Sequence, residues 1–83
     1  MYYVYVLKSE KNGRYYTGYA EDLEARLLAH NLGKVRSTKA YKPYKLIYKE
    51  EYDNKRIARK REIFFKSGQG RLQLQNKLII LQR

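Results

Sequence analysis

Five side chains are candidates for chemistry by residue type and by position along the chain. Arg26 and His30 are four residues apart in Arg26-Leu27-Leu28-Ala29-His30. On a helix that spacing projects both from one stripe. They either mark the polar boundary of an amphipathic helix or form a cationic pair aimed at a phosphate. Glu62 shares a helical face with Ala58 and Phe65, so its carboxylate sits among apolar neighbours. It either pairs with Arg61 or Lys66, or offers a hard oxygen ligand to Mg²⁺, which often takes one or two carboxylates and keeps several waters. Tyr5 and Tyr16 fall on two short Tyr-rich segments. If these pair as a hairpin, the phenols are cross-strand neighbours. Packing alone would explain them.

Those groups need elements to hold them. Residues 2–8 alternate and are rich in Tyr and Val, which predicts a strand. Period two puts Tyr3, Tyr5 and Leu7 on one face and Tyr2, Val4 and Val6 on the other. Asn12-Gly13 is a turn signal, and residues 15–20 read as the return strand. Gly18 inside that strand marks a bulge or a close approach by a ligand or another chain. Residues 21–31 read as a helix, with Glu21, Asp22 and Glu24 at its positive end and Leu32-Gly33 as its stop. A basic loop follows at 34–42, then a third strand over 44–52. Asp53 is the expected cap of a second helix over about 54–67. A third helix is expected over 70–82, with Leu72, Gln75, Ile79, Leu74, Leu78 and Leu81 giving a broad apolar face. The expected class is α+β: a small three-stranded antiparallel sheet flanked by three helices, in a single domain over residues 1–83.

The composition narrows the partner. Lys plus Arg number 19 against 8 Asp plus Glu, a formal net charge of +11. A pI near 10.0 on a 10.0 kDa chain points to a polyanion, because each cation that meets a phosphate releases a condensed counterion. The plainer readings are a ribosome-associated protein, a membrane-surface binder or a charge kept for solubility. The chain has no Cys, which removes disulfides, thiolate zinc sites and Cys nucleophiles. The longest apolar run is Leu78-Ile79-Ile80-Leu81, far short of the roughly 18–20 residues of a membrane span. The N-terminal residues lack the basic region and small-residue cleavage site of a signal peptide. The expected location is the cytoplasm, with no membrane partner.

Taken together, these residues resemble the GIY-YIG nuclease superfamily, over about residues 2–81. The first motif matches Tyr3-Val4-Tyr5, with Tyr3 and Val4 replacing the family's Gly and Ile. The second matches Tyr16-Thr17-Gly18. Arg26 and His30 fit the family's Arg followed four residues later by His, and Glu62, in Lys60-Arg61-Glu62, falls on its metal-binding Glu. The chain is most similar to the small stand-alone bacterial proteins that consist of this domain only. The resemblance implies a DNA endonuclease of low intrinsic sequence specificity that uses one Mg²⁺ or Mn²⁺ ion on Glu62. It implies that Arg26 stabilises the phosphoryl charge, that Tyr5 or Tyr16 orients or deprotonates the attacking water, and that His30 relays the proton or binds phosphate. The basic loop, Lys34, Arg36, Ser37, Thr38, Lys39 and Lys42, would hold the backbone without reading sequence. RNA is the second candidate substrate, and a targeting protein is a candidate partner. The competing reading is a nucleic-acid-binding module that cuts poorly or not at all.

Overall fold

The structure is a computed structural model that describes residues 1–81. Strand β1 (Tyr2–Ser9) and strand β2 (Tyr15–Ala20) form an antiparallel hairpin. The Asn12-Gly13 turn closes it: Gly13 adopts φ +74, and its N–H donates to the Ser9 carbonyl at 2.9 Å. Helix α1 (Leu23–Asn31) follows, then a short 3-10 turn at Lys39–Tyr41 and strand β3 (Tyr44–Tyr52). Helices α2 (Lys55–Lys66) and α3 (Gly68–Leu81) complete the chain. The sheet order is β2-β1-β3. The central strand is therefore the first in the chain, and β2 and β3 are the edges.

The two faces of β1 sort as period two requires. Val4 and Val6 pack with Ala58 and Phe65 of α2 and with Leu74 and Leu78 of α3. Tyr5 and Leu7 pack with Ala20, Tyr44 and the α1 residues Leu23 and Leu27. So α1 covers one face of the sheet and the α2–α3 pair covers the other.

Helix ends depart from expectation for local reasons. Helix α1 starts at Leu23 because Asp22 is extended and caps it, its carboxylate accepting from the Ala25 N–H at 3.1 Å. Asn54, not Asp53, caps α2: its side-chain oxygen accepts from Arg56 and Ile57 N–H at 2.8 and 3.2 Å. An amide oxygen caps as well as a carboxylate, and sequence alone does not rank two adjacent candidates. Helix α3 begins two residues early, at Gly68, with the Ser67 hydroxyl accepting from the Gly70 N–H at 3.2 Å. The helices can adjoin this tightly because residue 70 has no side chain: a Cβ there would stand 2.9 Å from Phe65 Cα and closer still to the Phe64 carbonyl.

The expected broad face of α3 narrows to one stripe. Leu74 and Leu78, four residues apart, are buried, while Leu72 and Ile79 are exposed. A helix lying against one partner layer covers only a limited arc. Gln82 and the side chain of Leu81 lie outside the described residues.

Candidate active site

The edge strand β2 is where the candidate residues meet. Tyr5 pairs directly with Gly18, and Leu7 with Tyr16. Tyr5 and Tyr16 are therefore diagonal neighbours on one face, with ring centroids 6.4 Å apart. Gly18 explains its own identity here. A Cβ at residue 18 would lie 2.5 Å from Tyr5 Cζ and nearer still to the hydroxyl oxygen. The Tyr5 side chain thus lies across the Gly18 backbone, toward the free edge of β2. The close approach expected from a strand Gly comes from the protein's own phenol, not from a ligand or a second chain.

The Tyr5 hydroxyl ends on His30. Its oxygen is 2.9 Å from His30 Nε2, and His30 Nδ1 is 2.7 Å from the Thr38 hydroxyl oxygen. Thr38 in turn reaches the Val35 carbonyl at 3.4 Å. A hydroxyl has one proton to give. If Thr38 donates it to the carbonyl, Thr38 accepts from Nδ1–H, and Nε2 carries the lone pair that accepts from Tyr5 O–H. Every polar group in this buried chain is then satisfied. Three rings enclose the imidazole: Tyr5, Tyr16 and Tyr44, with centroids at 5.8, 5.0 and 6.1 Å.

Burial and the nearby Arg26 guanidinium press the His30 pKa down to about 4. His30 is therefore neutral at pH 7. Burial pushes the Tyr5 pKa up, and the nearby Arg26 guanidinium pulls it partly back. Arg26 belongs to the same group of charges, since Tyr5 and then Tyr16 stabilise its cation against the opposing effect of burial. The i, i+4 pair thus splits its tasks. His30 turns inward into the core, while Arg26 stays exposed at the rim.

Glu62 reaches the same place from the other side of the sheet. It is 7% exposed. Its Oε1 meets Arg59 at 3.2 Å and its Oε2 meets Lys66 at 3.1 Å. Arg59 also lies over the Tyr19 ring and Lys66 over the Tyr16 ring, at 5.3 and 6.0 Å from the centroids. Glu62, set between two residues that touch β2, stands beside that strand, and its charge is felt at Tyr5. Of the two ion-pair partners open at the sequence level, Lys66 is used. Arg61 turns away to Glu50, with Nε 2.9 Å from Oε1. Tyr48 and Tyr52 hydroxyls donate to the same carboxylate at 2.5 and 2.6 Å. Burial alone would raise the Glu50 pKa, but Arg61 and the two phenols outweigh it and hold it below the usual value. This knot ties α2 to β3.

The loop residues divide. Lys34, Arg36, Ser37, Lys39 and Lys42 are exposed, as a backbone-holding surface requires. Thr38 is 1% exposed, so it is corrected from a surface contact to the group that holds His30. Eight residues separate the two in sequence, a spacing that advertises nothing. Tyr44, Arg59 and the Glu50–Arg61 pair were likewise missed, because each depends on strand order or helix placement.

Among the described residues no three His, Cys, Asp or Glu side chains cluster as a metal cage, and no helix is long and apolar enough to cross a membrane.

The architecture and sequence have known counterparts. A family model of the GIY-YIG catalytic domain matches residues 1–76. The chain is 43% identical over 76 residues to a UPF0213 protein of Staphylococcus saprophyticus, spanning 88% of this chain and 92% of the relative. It is 45% identical over 67 residues to a UPF0213 protein of Clostridium perfringens, spanning 80% and 71%. The solution NMR structure of a UPF0213 protein from Bacillus halodurans superposes with a TM-score of 0.56 at 31% identity, covering 92% of this chain and 84% of that one.

Proposed function

Since the chain belongs to the GIY-YIG family, we propose that it is a metal-dependent endonuclease that hydrolyses phosphodiester bonds of DNA with low intrinsic sequence specificity. What supports this reading is the Tyr5 hydroxyl bonded to His30 beside Tyr16, with Lys66, the ion-pair partner of Glu62, lying over the Tyr16 ring.

The residues fit one divalent ion. Glu62 is a single hard carboxylate, and Mg²⁺ takes few protein ligands and keeps its waters. Glu62 would hold the ion, with water and substrate oxygens completing its shell. When bound, Mg²⁺ supplies Lewis acidity to the phosphoryl and leaving oxygens. The chain's own groups do the rest. The Tyr5 hydroxyl donates its hydrogen bond to His30 Nε2, which leaves its oxygen lone pairs to accept from a water. A water donating to that oxygen is oriented for attack, and its proton passes to Tyr5 as the Tyr5 proton passes to His30. Arg26 lowers the cost of the phenolate form and faces the charge that builds on the phosphoryl oxygens. Exposed Lys34, Arg36, Lys39 and Lys42 hold the flanking backbone, with Ser37 beside them. Thr38 keeps His30 in the accepting tautomer.

A second reading, a binding module that cuts poorly, draws support from Glu62. Arg59 and Lys66 each occupy one of its oxygens, and a metal must compete with both. The test is incubation with plasmid, linear, branched and single-stranded DNA and with RNA, in Mg²⁺, Mn²⁺ or chelator. Glu62→Gln and Tyr5→Phe run alongside. Metal-dependent cutting of DNA that both variants lose supports the nuclease. Retention of nucleic acid without cutting under either metal selects the binding module.

A further inference from the structure

A cleft of about 620 Å³ opens beside these residues, between the start of β2 and the α2–α3 pair. It shares Tyr16 and Lys66 with the site just described, and the proposed chemistry leaves its other residues unused. We propose that this cleft receives one unstacked nucleotide next to the scissile phosphate, so that the substrate presents an unpaired, single-stranded nucleotide there. The inference deepens the nuclease reading and rests on it for the position of the phosphate.

The lining supplies each contact a nucleotide needs. Arg14 and Arg71 join Lys66 at the cleft. Neither Arg14 nor Arg71 forms an ion pair among the described residues. No Asp or Glu is among the described lining residues, so the opening favours anions. Tyr15 is 46% exposed; the Lys8 ammonium lies 5.9 Å from its ring centroid, which leaves the opposite face for a base to stack on. Phe65 and Leu78, almost wholly buried, give an apolar floor. Thr17 and Gln75 bring a hydroxyl and an amide, which can donate to and accept from a base edge or a sugar. The volume falls in the range of about 300–1,000 Å³ of small-ligand pockets. A paired base inside a duplex has both faces covered by its neighbours, and only an unstacked one can present a face to Tyr15.

Fluorescence anisotropy in chelator tests this without any cutting. The probes are a single-stranded DNA oligonucleotide, the RNA of the same sequence and a blunt duplex of the same length. Tyr15→Ala should weaken the single strands about 5- to 150-fold, from the usual value of one base–aromatic stack. The duplex should change less than about two-fold, because it meets the backbone-holding loop only. Tyr15→Phe keeps the ring face and should keep the affinity, which separates stacking from loss of fold. Arg71→Ala should lower the salt slope for single strands by about one. The DNA and RNA arms distinguish a deoxyribose occupant from a ribose one by which affinity falls further. Equal losses on all three probes, or no loss on either single strand, overturn the proposal. Because nothing is cut, a protein that proves inactive would still show the difference. An active nuclease indifferent to Tyr15→Ala would lose only the cleft.

Discussion

Gly18→Ala should unseat Tyr5, and the size of the effect follows from the geometry. The new Cβ would stand 2.5 Å from Tyr5 Cζ, where ordinary contact begins near 3.4 Å. The ring must therefore retreat by about 1 Å, the difference between those two distances. Tyr5 is 1% exposed, so the ring retreats into packed neighbours. Overpacking of this kind costs about 1–3 kcal/mol. The same retreat breaks the 2.9 Å bond to His30 Nε2 and leaves a buried donor and acceptor unpaired, a further loss of about 1–3 kcal/mol. Replacing Gly in a strand returns about 0.5–1 kcal/mol through the unfolded chain. The net loss is about 1–5 kcal/mol, against a total of about 5–15 for a domain. Urea unfolding monitored by circular dichroism reads it as a fall in midpoint at unchanged slope. Tyr5→Phe completes a double-mutant cycle. Alone it strands His30 Nε2. Added to Gly18→Ala it should cost less than about 0.5 kcal/mol, because the bond is already gone. A Gly18→Ala loss under about 1 kcal/mol, or simple additivity with Tyr5→Phe, would refute the claim that Tyr5 crosses the Gly18 backbone to reach His30.

Further outcomes follow from the charges. His30 has a folded pKa of about 4 against about 6.5 unfolded, so the unfolded state binds more protons between those values. Stability should be complete above pH 6.5 and fall by about 3 kcal/mol as the pH drops to 4, a slope that His30→Gln should flatten in denaturation at pH 7, 5.5 and 4. Arg26→Ala removes a charge that depresses His30, so the His30 pKa should rise in an NMR titration, while Arg26→Lys leaves it low. Glu50→Gln leaves Arg61 without its carboxylate and should cost about 2–3 kcal/mol. The Glu50 contribution is complete above its ordinary pKa and is lost as the pH falls through its lowered folded one. The same substitution should bring down the Tyr48 ionisation, which burial and Glu50 push up to about 12, as read by alkaline absorbance. Affinity for nucleic acid should fall about 10³-fold or more between 50 and 200 mM salt if six or more phosphates are held; a flat response would remove the electrostatic argument.

How much of this was legible beforehand differs by residue. The alternation of β1 assigned Val4 and Val6 to one layer and Tyr5 and Leu7 to the other, because side-chain direction in a strand is a local property. The Asn12-Gly13 turn set the hairpin, and the hairpin brought Tyr5 near Tyr16. The i, i+4 spacing of Arg26 and His30 was equally local. Their separate fates were not. His30 is buried and neutral while Arg26 stays exposed, since only the packing of α1 against the sheet decides which side of a stripe turns inward. The role of Gly18 needed the register that lays Tyr5 over it. Thr38 read as one more polar loop residue until the fold placed it on His30. Glu62 stood on a recognisable helix face, yet its place beside β2 depends on how α2 crosses the sheet.

The elements and the two-faced central strand depend on residues near one another in the chain, and the excess of positive charge on composition alone. The nearness of the Tyr5 phenol from β1 to a guanidinium from α1 and a carboxylate from α2, both felt at Tyr5, arises from tertiary packing. Their separations in sequence carry no periodic signal, and packing of the two helical layers on opposite faces of one sheet is what brings them together.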